Sequence, residues 1–209
     1  MNSKKIKLLS SGITLTIVII VSVFLIARMQ KENYNKVPKQ DDCLVSVNGE
    51  EILKKEIDLV YKQFANSGVQ YDEILNNSID EVLVIQHAKE FGIPEITESE
   101  VQKQLQDYKS QYPDLYNEAV NVYGVDELYK GQENRMMYDR VKKYVMSNVL
   151  QDKFTDQTAN NFIAKYKLSE QLEGYSMEQI KKSLKKEIKE YLFNEWVDDI
   201  KKNANIVYY

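Results

Sequence analysis

Cysteine and histidine are the residues of this chain best suited to catalysis or metal binding, and each occurs once, as Cys43 and His87. A zinc site usually combines several nitrogen and sulfur ligands, and a cysteine nucleophile needs a base within hydrogen-bond reach. His87 lies in an apolar helical pattern, which favours a packed helix residue. No nucleophile-elbow, zinc-protease or phosphate-loop motif occurs in the sequence. We therefore predict a non-enzymatic protein with no catalytic residue, no metal site and no cofactor.

Tyrosine and methionine suggest contact with other polypeptides rather than catalysis. The chain has 15 tyrosines and 6 methionines. Tyrosine presents an apolar ring with a polar tip, and methionine adapts its shape to a partner, so both suit promiscuous binding. The predicted peptide-binding residues are Tyr112, Tyr116, Tyr123, Tyr129, Met136, Met137 and Tyr138. A stripe of such residues at helical spacing also fits a helix core, and the sharper hypothesis places some of them in a cleft between helices.

The charge distribution argues against nucleic acid as a partner. The whole chain carries −4 at pH 7, yet the first 28 residues hold four positive charges, which leaves about −8 for residues 29–209. An acidic body repels phosphate backbones. A hydrophobic content of 43% is enough for a core, and only 7 glycines and 3 prolines favour long helices over many turns.

The N-terminal region predicts a membrane anchor. Residues Leu8–Ala27 are uncharged for 20 residues, about the length that crosses ~30 Å of hydrocarbon as a helix. The lysines before it favour a cytoplasmic N-terminus and an extracytoplasmic body. Ile26–Met29 is a poor cleavage site, which favours an uncleaved signal anchor over a removed signal peptide. The predicted layout at the cell membrane is a cytoplasmic basic tail (1–7), a single transmembrane anchor (8–28), a tether (29–43) and a helical domain (44–209).

The two ends of the body predict a small sheet. Leu44–Val47 alternates apolar and polar residues, as a half-buried strand does, and Asn48-Gly49 is a turn dipeptide. Ile52 and the apolar residues after it approach a helical period. At the far end, Ala204–Tyr209 is rich in β-prone residues. Pairing the two terminal strands would satisfy the backbone groups that each strand alone would leave unpaired.

Between these strands the sequence predicts helices. Two capping-box patterns, Thr97–Glu100 and Ser176–Gln179, mark helix starts. Asp72, Asp114 and Asp126 are predicted as further N-caps. The predicted helices are 54–65, 98–111, three that follow these aspartates and run to 91, 124 and about 154, a short helix over 162–166, and a last helix from 177 through Ile200. The expected fold is mainly α, with a two-stranded sheet that joins the terminal segments.

Three segments occur in an order that is known from one family. They are the strand and turn Val45–Ile52, the segment Asp80–Ile93 that leads into Ile96–Val101, and the terminal segment Trp196–Ile206. In this order they resemble the N-terminal chaperone domain of the SurA/PrsA family of extracytoplasmic peptidyl-prolyl isomerase-chaperones. The resemblance covers roughly residues 43–209. It implies that the terminal segments pack together and that the protein binds unfolded polypeptides.

The isomerase domain of that family has no counterpart here. In the family, a parvulin-type domain sits between the N-terminal helices and the final helix. The available segment, 154–175, is shorter than the roughly 50 residues that a small domain needs. We therefore expect a membrane-anchored chaperone-like protein that binds unfolded or exported polypeptides without isomerase activity. The alternatives are an adaptor for one envelope partner and a residual prolyl isomerase.

Overall fold

The computed structural model describes residues 42–64 and 67–209. The predicted basic tail, transmembrane anchor and nearly all of the tether lie outside these residues. Within the described part of the chain, no helix combines the length and the apolar character needed to span a bilayer.

The described residues are mainly helical, as predicted, with one small antiparallel sheet. The strands are β1 (Cys43–Val47), β2 (Glu50–Leu53) and β3 (Ile206–Tyr208). The helices are α1 (Lys54–Phe64), α2 (Tyr71–Glu90), α3 (Glu98–Gln111), α4 (Pro113–Tyr123), α5 (Val125–Tyr144), α6 (Asp156–Lys165), α7 (Met177–Ser183) and α8 (Lys185–Lys202). A π-helical turn (Val145–Val149) and a 3-10 turn (Gln151–Lys153) follow α5.

The sheet confirms the predicted pairing of the segments at the two ends of the helical domain. β1 and β3 run antiparallel, with Val47 opposite Ile206 and Val45 opposite Tyr208. The two-stranded prediction was wrong, because the sheet has three strands in the order β2-β1-β3.

The missed strand, β2, is created by a tight hairpin. Asn48 and Gly49 both have positive φ, 52° and 90°, as a two-residue hairpin loop with the right twist requires. The loop places Glu50 opposite Val47. Ile52, whose spacing also fits the helical period of the residues that follow, therefore lies in β2, and its side chain is fully buried.

Helix α2 is the central element of the described fold, since it contacts the sheet, α1, α5 and α8. It begins at Tyr71 with Gln70 as N-cap, so the prediction that Asp72 caps it was wrong. Asp72 lies in the first turn instead, where a negative charge suits the helix dipole. The predicted end is confirmed: Gly92 adopts φ 62°. Its N–H donates to the Lys89 carbonyl, and the next N–H donates to Ala88, which is a Schellman motif.

The helix starts were predicted better where a capping box exists than where a lone aspartate precedes the helix. Both boxes are present; in the first, Glu100 accepts a 2.9 Å hydrogen bond from the Thr97 N–H. Helix α4 begins at Pro113 rather than after Asp114, because proline has a helical φ and suits the first helical position. Helix α5 begins at Val125 directly after Gly124, so Asp126 is also a first-turn residue.

Two predicted long helices are interrupted. The helix predicted over 126–154 ends at Tyr144, and the Leu150 N–H reaches the Val145 carbonyl at 2.9 Å, an i→i+5 bond that defines the π-helical turn. The predicted last helix is divided at Leu184, whose φ of −110° and ψ of 24° depart from helical values. The Leu184 side chain at this break is buried, with 5% of its surface exposed. The short helix predicted over 162–166 is longer and begins earlier, as α6.

Three groups of buried side chains hold these elements together. The sheet cluster joins the sheet, α1, α2 and α5 through Val45, Val47, Ile52, Ile57, Val60, Val69, Ile74, Ile79, Val82, Leu83 and Leu128. The middle cluster joins α2, α5, the π-helical turn and α8 through Val84, Ala88, Val141, Val145, Leu150, Leu192, Phe193 and Val197. The C-terminal cluster joins α6, α7 and α8 through Ala159, Phe162, Leu168, Ile180, Leu184, Ile188 and Tyr191.

Candidate functional site

Helix α4 covers the sheet cluster without burying any of its own side chains completely. Its inner face carries Tyr116, Ala119, Val120 and Tyr123, which pack against that cluster while remaining partly accessible. Pro113 starts the helix, and Gly124, with φ 83°, ends it. Helix α4 therefore lies at the surface, with one side against the sheet cluster.

One flank of α4 carries exposed apolar side chains. Leu115 is 54% exposed and Val122, seven residues later, is 43% exposed. Residues seven apart lie near one line along a helix. Tyr112 and Val125, just outside the two ends of the helix, are 50% and 56% exposed. We call Tyr112, Leu115, Val122 and Val125 the α4 stripe. Such a surface can bury apolar groups of another molecule.

The predicted tyrosines of this region differ in exposure. Tyr112 belongs to the α4 stripe, and its ring centroid lies 5.6 Å from that of Tyr108. Tyr116 points inward, 6.5 Å from the Tyr108 ring, with the Lys109 ammonium 5.3 Å from its centroid. Tyr123 also packs on the sheet cluster. Of these three predicted residues, Tyr112 is the exposed one.

The other four predicted residues lie on α5 and are partly buried. Burial raises the pKa of the Tyr129 hydroxyl, with the nearby Glu98 and Glu133 acting in the same direction. Met137 and Tyr138 pack against the middle cluster, and Tyr138 meets Phe193 edge-on, with ring centroids 6.0 Å apart. Met136 is half-buried. Packing against the body therefore accounts for Met137 and Tyr138.

Three members of the α4 stripe, Leu115, Val122 and Val125, are absent from the predicted set. Their signal in the sequence is the width of the apolar arc on this short helix, of which one edge stays uncovered. Residue type alone, tyrosine or methionine, does not identify them. Exposure, rather than residue type, separates the α4 stripe from the packed tyrosines.

A group of aromatic rings surrounds the C-terminal end of α2. The Trp196 ring centroid lies 5.5 Å from those of His87 and Phe193. Phe91 stacks on Tyr144 at 5.1 Å. His87 Nδ1 lies 2.8 Å from the Leu83 carbonyl, which can only accept, so Nδ1 carries the donated proton. The histidine is thus a packing residue, as its helical context predicted.

The remaining chemistry-bearing side chains do not form a metal cluster. Within the described residues, no group of three or more histidine, cysteine, aspartate and glutamate side chains is placed to hold a metal ion. Cys43 is buried, and its thiol lies 3.5 Å from the Val45 carbonyl.

One carboxyl group is buried between α2 and α5. Glu81 is 6% exposed, and neither its Oε1 nor the buried Nη1 of Arg135 has a hydrogen-bond partner among the described residues. Arg135 Nε donates to Asp139 at 2.9 Å. Burial raises the pKa of Glu81 to about 8; the charge of Arg135 lowers it and that of Asp139 raises it. Glu81 is therefore largely neutral in the folded protein below that pH.

No protein-family model, curated protein or solved structure matches the chain. The resemblance to the SurA/PrsA family therefore remains an expectation from three short sequence segments.

Proposed function

We propose that the protein is a membrane-anchored, extracytoplasmic, chaperone-like protein that binds unfolded or exported polypeptides through the α4 stripe. The observation that carries the proposal is the set of four exposed apolar side chains on and beside a helix none of whose side chains is completely buried. The uncharged segment Leu8–Ala27 supports the anchor, and the sequence resemblance supports the class of client.

The size of the α4 stripe suits weak, reversible binding. Full burial of one leucine or valine side chain contributes about 1.5–3 kcal/mol, so covering a half-exposed one contributes about 1 kcal/mol. Four such residues supply about 4 kcal/mol before the costs of association, which corresponds to a Kd of about 1 mM or weaker. A tether that holds the protein beside an export site raises the effective concentration of clients and offsets this weakness.

The test is suppression of aggregation. The full chain, reconstituted in phospholipid nanodiscs, is mixed with an unfolded model protein, and light scattering is compared with that of empty nanodiscs. We expect suppression by the natural protein and a clear loss with the double substitution Leu115→Ser and Val122→Ser. Unchanged suppression by that variant would remove the α4 stripe from the mechanism, and no suppression by the natural protein would contradict the proposal.

A matched pair of tyrosines controls for general surface polarity. Tyr112, in the α4 stripe, and Tyr175, between α6 and α7, are 50% and 57% exposed. Tyr112→Ser is expected to weaken suppression, whereas Tyr175→Ser leaves it unchanged.

Two further measurements address the alternatives. Pull-down from a detergent extract with one stoichiometric partner would favour the adaptor function over a chaperone with many clients. Acceleration of proline isomerisation in a model peptide would favour the isomerase.

A further inference from the structure

A groove of about 340 Å³ lies where the end of α5 and the π-helical turn approach α8. It is lined by Asp139, Lys142, Lys143, Met146, Ser147 and Lys189. The π-helical turn contributes Met146 and Ser147, and such turns often occur at functional sites. None of the α4 stripe residues lines the groove, so the two surfaces are separate.

The groove holds positive charge that the protein does not neutralise. Asp139 accepts a 2.9 Å hydrogen bond from Arg135, and Lys142 donates to Glu190 at 2.5 Å. Lys143 and Lys189 have no ion-pair partner among the described residues. After these pairings, two ammonium groups of the groove remain available to a ligand.

The charge of the whole body restricts what that ligand is. Residues 29–209 carry about −8, so a broad anionic surface such as a membrane leaflet or a nucleic acid is repelled as it approaches. A short acidic stretch of a flexible chain brings its carboxylates to the two lysines alone. Met146 offers an adaptable apolar contact, and the Ser147 hydroxyl can donate or accept a hydrogen bond.

We propose that this groove binds a short, carboxylate-rich stretch of an extended polypeptide. Two carboxylates pair with Lys143 and Lys189, and Met146 contacts apolar atoms of the same stretch. The inference goes beyond the proposed function, because it assigns a second surface and a second ligand chemistry that do not depend on what the α4 stripe binds.

Fluorescence anisotropy tests the charge requirement directly. The full chain in zwitterionic detergent micelles is titrated against a labelled peptide in which Glu and Leu alternate, and against the same peptide with Gln in place of Glu. We expect the Glu peptide to bind about tenfold more tightly, with an affinity that falls as salt is added. Equal binding of the two peptides would overturn the proposal.

Matched variants locate the binding. Lys143→Gln with Lys189→Gln is expected to weaken binding about five- to tenfold, since each ion pair at an accessible site contributes modestly. Lys55→Gln with Lys103→Gln removes the same charge from exposed positions on α1 and α3 and is expected to change affinity by less than about twofold. An equal loss in both double variants would show attraction to overall charge and overturn the assignment.

Two more experiments separate the remaining possibilities. Lys143→Glu with Lys189→Glu is expected to reverse the preference toward a peptide in which Lys and Leu alternate; an unchanged preference counts against the groove. Tighter binding to phosphatidylserine than to phosphatidylcholine vesicles that is lost in Lys143→Gln with Lys189→Gln, together with no binding to the Glu peptide, would assign the groove to lipid and refute the proposal. The Leu115→Ser and Val122→Ser variant is expected to keep the affinity for the Glu peptide. The groove and the proposed function can therefore fail independently of each other.

Discussion

Replacing Glu81 with glutamine tests whether a buried, neutral carboxyl group determines how stability depends on pH. Glu81 lies on α2 against α5 and is 6% exposed. Glutamine has nearly the same shape and stays neutral at every pH. The substitution therefore removes the ionisation of this site while keeping its packing.

The magnitude follows from the shift in pKa. Burial raises the pKa of Glu81 from 4.5 to about 8. Because the folded state holds the proton more tightly than the unfolded state, the associated stability is complete below a pH of about 4.5 and is lost as pH rises through about 8. One pKa unit corresponds to about 1.36 kcal/mol, so the loss amounts to at most about 5 kcal/mol. Glu81→Gln is expected to abolish that loss and to be the more stable protein above pH ~8.

Urea denaturation at acidic, neutral and alkaline pH measures the effect for both proteins. The difference in their free energies of unfolding is expected to be small at acidic pH and to grow in favour of Glu81→Gln as pH rises. Glu170→Gln, at an exposed carboxylate between α6 and α7, is the control and is expected to follow the natural protein. A constant difference between natural protein and Glu81→Gln across the pH range would refute the reasoning.

Two further predictions concern the sheet and the middle cluster. Asn48 accepts a hydrogen bond from the Asn205 N–H at 2.8 Å and donates to Gln86 at 2.9 Å, so Asn48→Ala is expected to lower the free energy of unfolding by about 1–3 kcal/mol; a loss below about 0.5 kcal/mol in urea denaturation would contradict this role. Phe193 is 1% exposed, so Phe193→Ala is expected to cost about 3–5 kcal/mol. Tyr144→Ala, at a ring that is 36% exposed, is expected to lower the thermal midpoint less, and an equal decrease would argue against a cavity at Phe193.

Local patterns predicted those parts of the fold whose cause is local. The capping boxes at Thr97 and Ser176 satisfy backbone groups within one turn, so the same residues mark a helix start in any context. Gly92 ends α2 for an equally local reason, its left-handed φ. The pairing of β1 with β3 was predicted from unsatisfied backbone groups at both ends of the body, and this requirement does not depend on the helices between them.

The missed elements depend on packing between distant segments. Ile52 fits a helical period as well as a strand, and only the hairpin decides that it enters the sheet. Leu184 sits in an uninterrupted apolar helical pattern, yet the C-terminal cluster holds it where α7 and α8 meet. The uncovered side of α4 depends on where that helix docks. Sequence periodicity identifies an apolar face but does not show which neighbour covers it.

Arg135 links the buried carboxyl group to the basic groove. Its Nε donates a hydrogen bond to Asp139 of the groove lining at 2.9 Å. This ion pair neutralises a negative charge that would otherwise reduce the positive charge of Lys143 and Lys189. The same positive charge lowers the pKa of Glu81, against the larger effect of burial. One guanidinium on α5 thus adjusts both the ionisation inside the α2–α5 contact and the net charge that the groove presents.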